Sequence, residues 1–141
     1  MKVKANDIEF KIRCVKRWVA TDVWKRGTGD QTNSFRVELE RNGRTMRFTW
    51  HDSVSEFVKR HNSFTPEKAK ESLECTIMDG LVFCQNNYTE FMNEFGYDDE
   101  REGLKCYNVC ADIYDGLSEL FTEDEIYEIS DLISDDKIVI E

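Results

Sequence analysis

The sequence predicts an α+β fold in one domain, with an antiparallel sheet containing a β-hairpin first and a helical part after it. Three observations carry this. Apolar and polar residues alternate through most of the first 51 residues, the apolar period lengthens to three and four beyond His51, and Asn42-Gly43 sits between two alternating runs. Charge divides at the same place. A basic, β-rich part (1–51) and an acidic, helical part (52–141) are therefore expected within a single domain spanning 1–141.

The elements follow in order. In DIEFKIRC, Ile8, Phe10 and Ile12 alternate with Glu9, Lys11 and Arg13, the period of a half-buried strand. RWVATDVW is read as a second strand, and the polar KRGTGDQTN as a loop. Phe35, Val37 and Leu39 lead up to Asn42-Gly43, and Met46, Phe48 and Trp50 lead away from it. Asn-Gly accepts the positive φ angles of a type I′ turn, so residues 35–50 form a hairpin with these six side chains on one face.

Thr65-Pro66-Glu67 starts a helix: a hydroxyl cap, Pro where no N–H is needed, and an acid near the positive end of the dipole. Ala69, Leu73, Ile77 and Leu81 continue it at a spacing of four. Asn86-Asn87 interrupts the chain, and Thr89 to Phe95 makes a short helix stopped by Gly96. A long helix then runs from Asp98 to about Leu120. Its apolar arc holds Leu104, Tyr107, Cys110, Ala111, Tyr114, Leu117 and Phe121, flanked by Cys106, Val109, Ile113 and Leu120. Thr122 and Glu125 have the spacing of a capping box for a last helix, with Ile126, Ile129, Leu132 and Ile133 inward. KIVIE at the end has the pattern of a strand docking on the sheet edge.

Composition excludes several classes. The chain has 141 residues, 40% hydrophobic and 12% aromatic, which is too apolar for a disordered chain and long enough for a proper core. No run approaches the roughly 18 apolar residues of a membrane span, and MKVKANDIEF lacks the apolar centre of a signal peptide. A cytoplasmic location is expected. Five Cys without a close CxxC pair fit reduced thiols better than a disulfide framework.

Net charge is −10, but it is distributed unevenly. Residues 1–50 carry twelve Lys/Arg and six Asp/Glu, whereas residues 51–141 carry seven and twenty-three. Beyond Thr89, seventeen acids face Arg101, Lys105 and Lys137. Helix starts account for Asp98, Asp99 and Glu100, and again for Glu123, Asp124 and Glu125. They do not account for Glu102, nor for Asp112, Asp115 and Glu119, a stripe towards a helix C-terminus that opposes the dipole and repels itself. These ten acids are the candidate partner-binding residues, placed to meet cations. The competing reading is a solvated acidic face.

Catalytic and metal signatures are weak. Cys106 and Cys110 are spaced to join Cys75 or Cys84 around zinc, but both lie on the apolar arc and are read as small buried thiols. His51 and His61 have no nucleophile or metal spacing beside them. RGTGDQ is too short for a phosphate loop and precedes no helix. No catalytic residue, metal or cofactor is therefore expected. Arg36, Arg41, Arg44 and Arg47, with Trp18, Trp24 and Trp50 nearby, offer an alternative: a nucleic-acid-binding module using the basic sheet. Outward-facing charges on an amphipathic sheet are the simpler explanation of them.

Residues 88–129 resemble a recurring family of small proteins from gut bacterial phages and mobile elements. The resemblance runs through Tyr88, Phe91, Phe95, Gly96, Tyr97, Asp98, Arg101, Tyr107, Leu120, Phe121 and Glu125. The hairpin segment FRVELERNGRTMRFTWHDS is similar to that family's strand pair, and the likeness departs after Ser53 and through residues 65–87. Some proteins of this type resemble type II anti-CRISPR inhibitors of Cas9. The resemblance implies a non-enzymatic, phage-derived inhibitor in the bacterial cytoplasm. It would bind Cas9 or its guide-RNA complex through an acidic, DNA-mimicking surface, with no direct contact to nucleic acid. Such a role suits a carboxylate row, since the basic channels of Cas9-type effectors hold nucleic acid through its backbone.

Overall fold

A computed structural model describes residues 1–21, 31–52, 63–94 and 100–141. Among these, five strands form one antiparallel sheet, with four helices in the second half of the chain: β1 (Lys2–Ala5), β2 (Ile8–Thr21), β3 (Gln31–Arg41), β4 (Arg44–Asp52), α1 (Pro66–Gln85), α2 (Tyr88–Glu94), α3 (Glu100–Leu120), α4 (Glu123–Ser134) and β5 (Val139–Ile140). The order across the sheet is β4-β3-β2-β1-β5. The α+β class is as expected.

The hairpin forms at the expected register. Asn42 and Gly43 have φ of 53° and 78°, and Leu39 pairs with Met46, Val37 with Phe48 and Phe35 with Trp50. All six side chains are buried against the helices, in one core with Val3, Ile8, Phe10 and Ile12. Phe35 stacks on Trp50 at 5.6 Å between centroids, and Phe10 meets Phe121 edge-on at 5.0 Å.

Two features of the sheet differ from expectation. The two strands read before residue 25 are one, β2, whose described part runs from Ile8 to Thr21. Its register against β3 shifts between Cys14 and Lys16. One extra residue reverses the inward parity, so Ile8, Phe10 and Ile12 are followed by Arg17 and Val19 on the helix side. That reversal is what imitates a strand break in the sequence. Asp22 to Trp24 and residues 25–30 of the expected loop 25–33 lie outside the described residues, whereas Gln31, Thr32 and Asn33, read as loop, open β3 by pairing with β2. The second difference is β1, which pairs Val3 with Phe10 and Ala5 with Ile8 across a turn where Asn6 has φ of 55°. Val3 and Ala5 alternating with Lys2 and Lys4 before Asn6-Asp7 were its signal. The terminal strand docks as expected: Ile140 pairs with Val3, and Lys2 and Glu141 exchange two backbone hydrogen bonds of 2.9 Å.

The helices cover one face. Thr65 accepts a hydrogen bond from the Lys68 N–H with Pro66 at the first helical position, and Thr122 and Glu125 form the full capping box. Ala69, Leu73, Ile77 and Leu81 are buried, as are Ile126, Ile129, Leu132 and Ile133. The arc of α3 is narrower than expected: Cys110, Leu117 and Leu120 are buried, but Leu104 and Val109 are exposed. A helix packed on α1 and β4 has too few neighbours to cover so wide an arc. Asp98 and Asp99, placed at the start of this helix from the sequence, lie outside the described residues, as do Phe95 and Gly96.

Arg41 locks the layers together. It donates to Glu125 through two bonds of 2.8 and 2.7 Å and to the Leu120 carbonyl at 2.9 Å, with its guanidinium 5.2 Å from the Phe121 ring. No basic residue lies in the last turn of α3, so the cation favoured at that helix end comes from β3 instead. The Arg41 hydrogen bonds hold the Glu125 carboxyl down to about 2, against an ordinary value of 4.5.

Two predictions arise from this packing. Because the folded value of Glu125 is depressed, the stability it contributes is complete above the ordinary carboxylate range and is lost as pH falls towards 2. Glu125→Gln, which can retain the capping-box contact, should cost roughly 2 kcal/mol at pH 6 in urea unfolding, a difference that shrinks steadily below pH 4. A pH-independent difference would remove Arg41 as the cause. The second concerns Gly80, where an added Cβ would lie 2.7 Å from Leu117 Cδ1. Gly80→Ala gains about 1 kcal/mol of helix propensity but crowds a fully buried leucine, which costs about 1–3 kcal/mol. Net destabilisation of about 1 kcal/mol is expected by denaturant melting, and a raised midpoint would refute close α1–α3 packing as the reason for this glycine.

Candidate functional site

The sheet turns its uncovered face away from the helices, and strand parity puts Lys2, Lys4, Lys11, Arg13, Lys16, Arg36 and Arg47 on it against Glu9, Glu38 and Glu40. Several of these charges serve one another. Arg13 Nε and Arg47 Nε each donate to Glu38 at 2.8 Å, hiding its carboxylate beneath two guanidinium groups and lowering its pKa. Lys4 lies 3.6 Å from Glu9, Arg36 donates to Thr49 Oγ1 at 3.0 Å, and Lys16 sits 5.7 Å from the centre of the Trp18 ring. The basic face therefore exists, with part of its charge neutralised internally. Arg41 and Arg44 do not belong to it: Arg41 is the interlayer lock, and Arg44 lies 3.6 Å from Glu119.

The helical side carries the opposite charge more strongly. Residues 63–94 and 100–141 hold nineteen Asp/Glu and five Lys/Arg, a net of −14. Of the candidate acids, Asp112, Asp115 and Glu119 are exposed along α3, and Glu123 and Asp124 are exposed at the start of α4. Glu102 is half-buried, with its carboxylate 3.8 Å from Lys105. Glu100 opens α3.

Glu125 is a correction. Sequence reasoning groups it with the solvent-facing acids, but it is half-buried and spent on Arg41 and the Thr122 cap. The capping-box spacing had already given it one local duty; the second comes from a strand 84 residues away. Sequence reasoning also passes over Glu71 and Glu74 and gives Glu67 only a helix-start role, though all three extend the exposed acidic surface along α1. Their signal was spacing on the polar face of an amphipathic helix.

The chemistry-bearing side chains are placed as follows. His51 ends β4 as expected, but it does have a hydroxyl beside it: Ser34 Oγ lies 2.6 Å from His51 Nδ1 across the β3–β4 pair. Ser34 is fully buried, which keeps its oxygen from a substrate carbonyl, and burial lowers the His51 pKa. His61 lies outside the described residues. Cys110 is buried and Cys106 half-buried on α3, while Cys75 is exposed on α1. No group of three or more His, Cys, Asp or Glu is gathered to hold a metal ion among the described residues, and no helix there is long and apolar enough to cross a membrane.

No protein-family model, curated protein or solved structure matches this chain.

Thiol chemistry provides a check on the α1–α3 interface. Burial, helped by the nearby Asp79 carboxylate and Cys106, pushes the Cys110 thiol up to about 12. At pH 8 the reactive thiolate is therefore scarce, and alkylation of native Cys110 by iodoacetamide should be at least about a hundredfold slower than that of an unhindered cysteine. Peptide mass spectrometry after timed labelling reads this directly. Rapid modification of Cys110 without unfolding would show that α3 is not seated as described.

Proposed function

We propose that this protein is a non-enzymatic inhibitor acting in the bacterial cytoplasm. Its acidic helical surface occupies a positively charged nucleic-acid channel of a defence protein, with Cas9 or its guide-RNA complex the target suggested by family resemblance. The observation that carries the reading is the net −14 of the helical side, with Asp112, Asp115 and Glu119 exposed in a row at helical spacings of three and four. Carboxylates so spaced stand about 5–6 Å apart, near enough for successive cations of a phosphate-binding channel to meet them in turn. Such binding requires no bond to be made or broken.

The acids do not contribute equally. Asp112, Asp115, Glu123 and Asp124 carry the contact, joined by Glu119, whose weak pairing with Arg44 is exposed on both sides and readily exchanged. Glu102, half-buried near the start of α3, adds to the surface, and Asp98, Asp99 and Glu100 are included in the proposed contact from the sequence alone. Glu125 supports it from beneath by holding the α3–α4 junction.

A second reading, nucleic-acid binding by the open sheet face, is favoured by the seven cations there and by Trp18. Net charge favours the first reading over it, since a chain at −10 repels a polyanion at long range.

The experiment is a pull-down of Cas9, with and without guide RNA, by the wild type and two charge-reversed variants. Lys at 112, 115 and 119 should abolish capture while circular dichroism stays native, and capture by the wild type should fall steeply with salt, as exposed charges are screened over about 8–10 Å. Glu replacing Lys11, Lys16 and Arg36 should leave capture within about twofold, as expected for charges outside the contact. The reverse pattern, with loss from the basic face alone, would sink the acidic-surface reading. Salt-sensitive retention of RNA or DNA by the wild type would then establish the second reading.

A further inference from the structure

A groove of about 220 Å³ lies between the edge strand β4 and helices α1 and α3, walled by Phe48, Trp50, Cys75, Thr76, Asp79 and Ile113. Two polar groups in it lack protein partners. Thr76 is 2% exposed, and its hydroxyl oxygen has no hydrogen-bond partner among the described residues. Buried hydroxyls are rarely left so, because an unmet hydrogen bond costs more than a solvated one. Asp79, one turn further along α1, is half-buried and has neither a hydrogen bond nor an ion pair among the described residues. Burial alone raises its pKa to about 6, so it is still mostly ionised at neutral pH.

We propose that this groove receives the guanidinium group of an arginine side chain from a partner protein. Charge complementarity selects the ligand. The groove contains an unpaired carboxylate and no Lys or Arg; its imidazole, His51, is held towards the neutral form by burial, and Glu71 and Glu74 on α1 add to the negative potential felt at Cys75. A compact ammonium would pay heavily for dehydration here, whereas guanidinium is more weakly hydrated and presents five donors in a planar fork. That fork can pair with both oxygens of the Asp79 carboxylate, and a rotation of Thr76 that brings its buried oxygen to the groove wall adds a further acceptor. Phe48, Trp50 and Ile113 provide apolar walls for the methylene stem. The volume falls below the roughly 300–1,000 Å³ of drug-sized pockets, which suits one side chain. The inference stands apart from what the Asp112 stripe binds, because it rests on two unsatisfied groups that do not belong to that stripe.

The test is an NMR titration of the intact, isotope-labelled protein with N-acetyl-arginine-N-methylamide, alongside the citrulline and lysine analogues. Saturable shifts are expected at the Thr76 and Asp79 amides and at the Trp50 indole. The neutral citrulline isostere should bind at least about tenfold more weakly, in line with the loss of a charge-assisted hydrogen bond, and lysine should fall between the two. Asp79→Asn should abolish arginine binding, and Thr76→Val should weaken it severalfold, both with native circular dichroism. The proposal is overturned if arginine produces no saturable shift at these residues, or if citrulline or lysine binds as well as arginine. The comparison of analogues on the wild type keeps it falsifiable even where a variant fails to fold.

Discussion

A sheet that buries only one of its faces is the constraint on which the rest of this molecule depends. Strand residues alternate between faces, so covering one face with helices commits half of every strand to the core and half to solvent. Phe35, Val37 and Leu39 go inward; Arg36, Glu38 and Glu40 go outward. The helices that provide the cover expose a polar side of their own, on the far side of the molecule. Two surfaces of opposite sign result, and each is built from a different half of the chain.

The same constraint explains why some charges are structural. Opposite charges gather where the layers meet or where strands adjoin, and there they are consumed. Arg41 reaches from the hairpin end to Glu125 and the last carbonyl of α3, and Glu38 is shared between Arg13 and Arg47. Lys68, whose amine lies 3.5 Å from Asp52, ties α1 to the end of β4. The acids left over lie along the outer sides of α3 and α4, where the strand cation Arg44 makes only an exposed contact with Glu119 at 3.6 Å. Their surplus is what makes that side a surface for meeting a basic partner.

Two carboxylates illustrate how much environment decides. Glu38 and Asp79 are both withdrawn from water, but the first is met by two guanidinium groups and its pKa falls, while the second is met by none and its pKa rises. The first is complete as it stands. The second remains open to a cation, beside a threonine oxygen in the same condition.

How much of this was legible in the sequence depends on the range of the interaction. The hairpin, the turn at Asn42-Gly43, the caps at Thr65 and Thr122 and the buried spacing of α1 and α4 are settled within a few residues, by backbone sterics and periodic burial, and the sequence determined them. It also determined the charge division and the exposure of Asp112, Asp115 and Glu119. Only the tertiary structure decided that β2 continues through a bulge, because the extra residue is defined by its register with β3. It alone took Glu125 out of the acidic surface and gave it to Arg41, set His51 against Ser34, and left Thr76 and Asp79 together in one groove. Each of these depends on which distant side chain arrives within about 3–4 Å, a distance over which hydrogen bonds and ion pairs act and which no local pattern encodes.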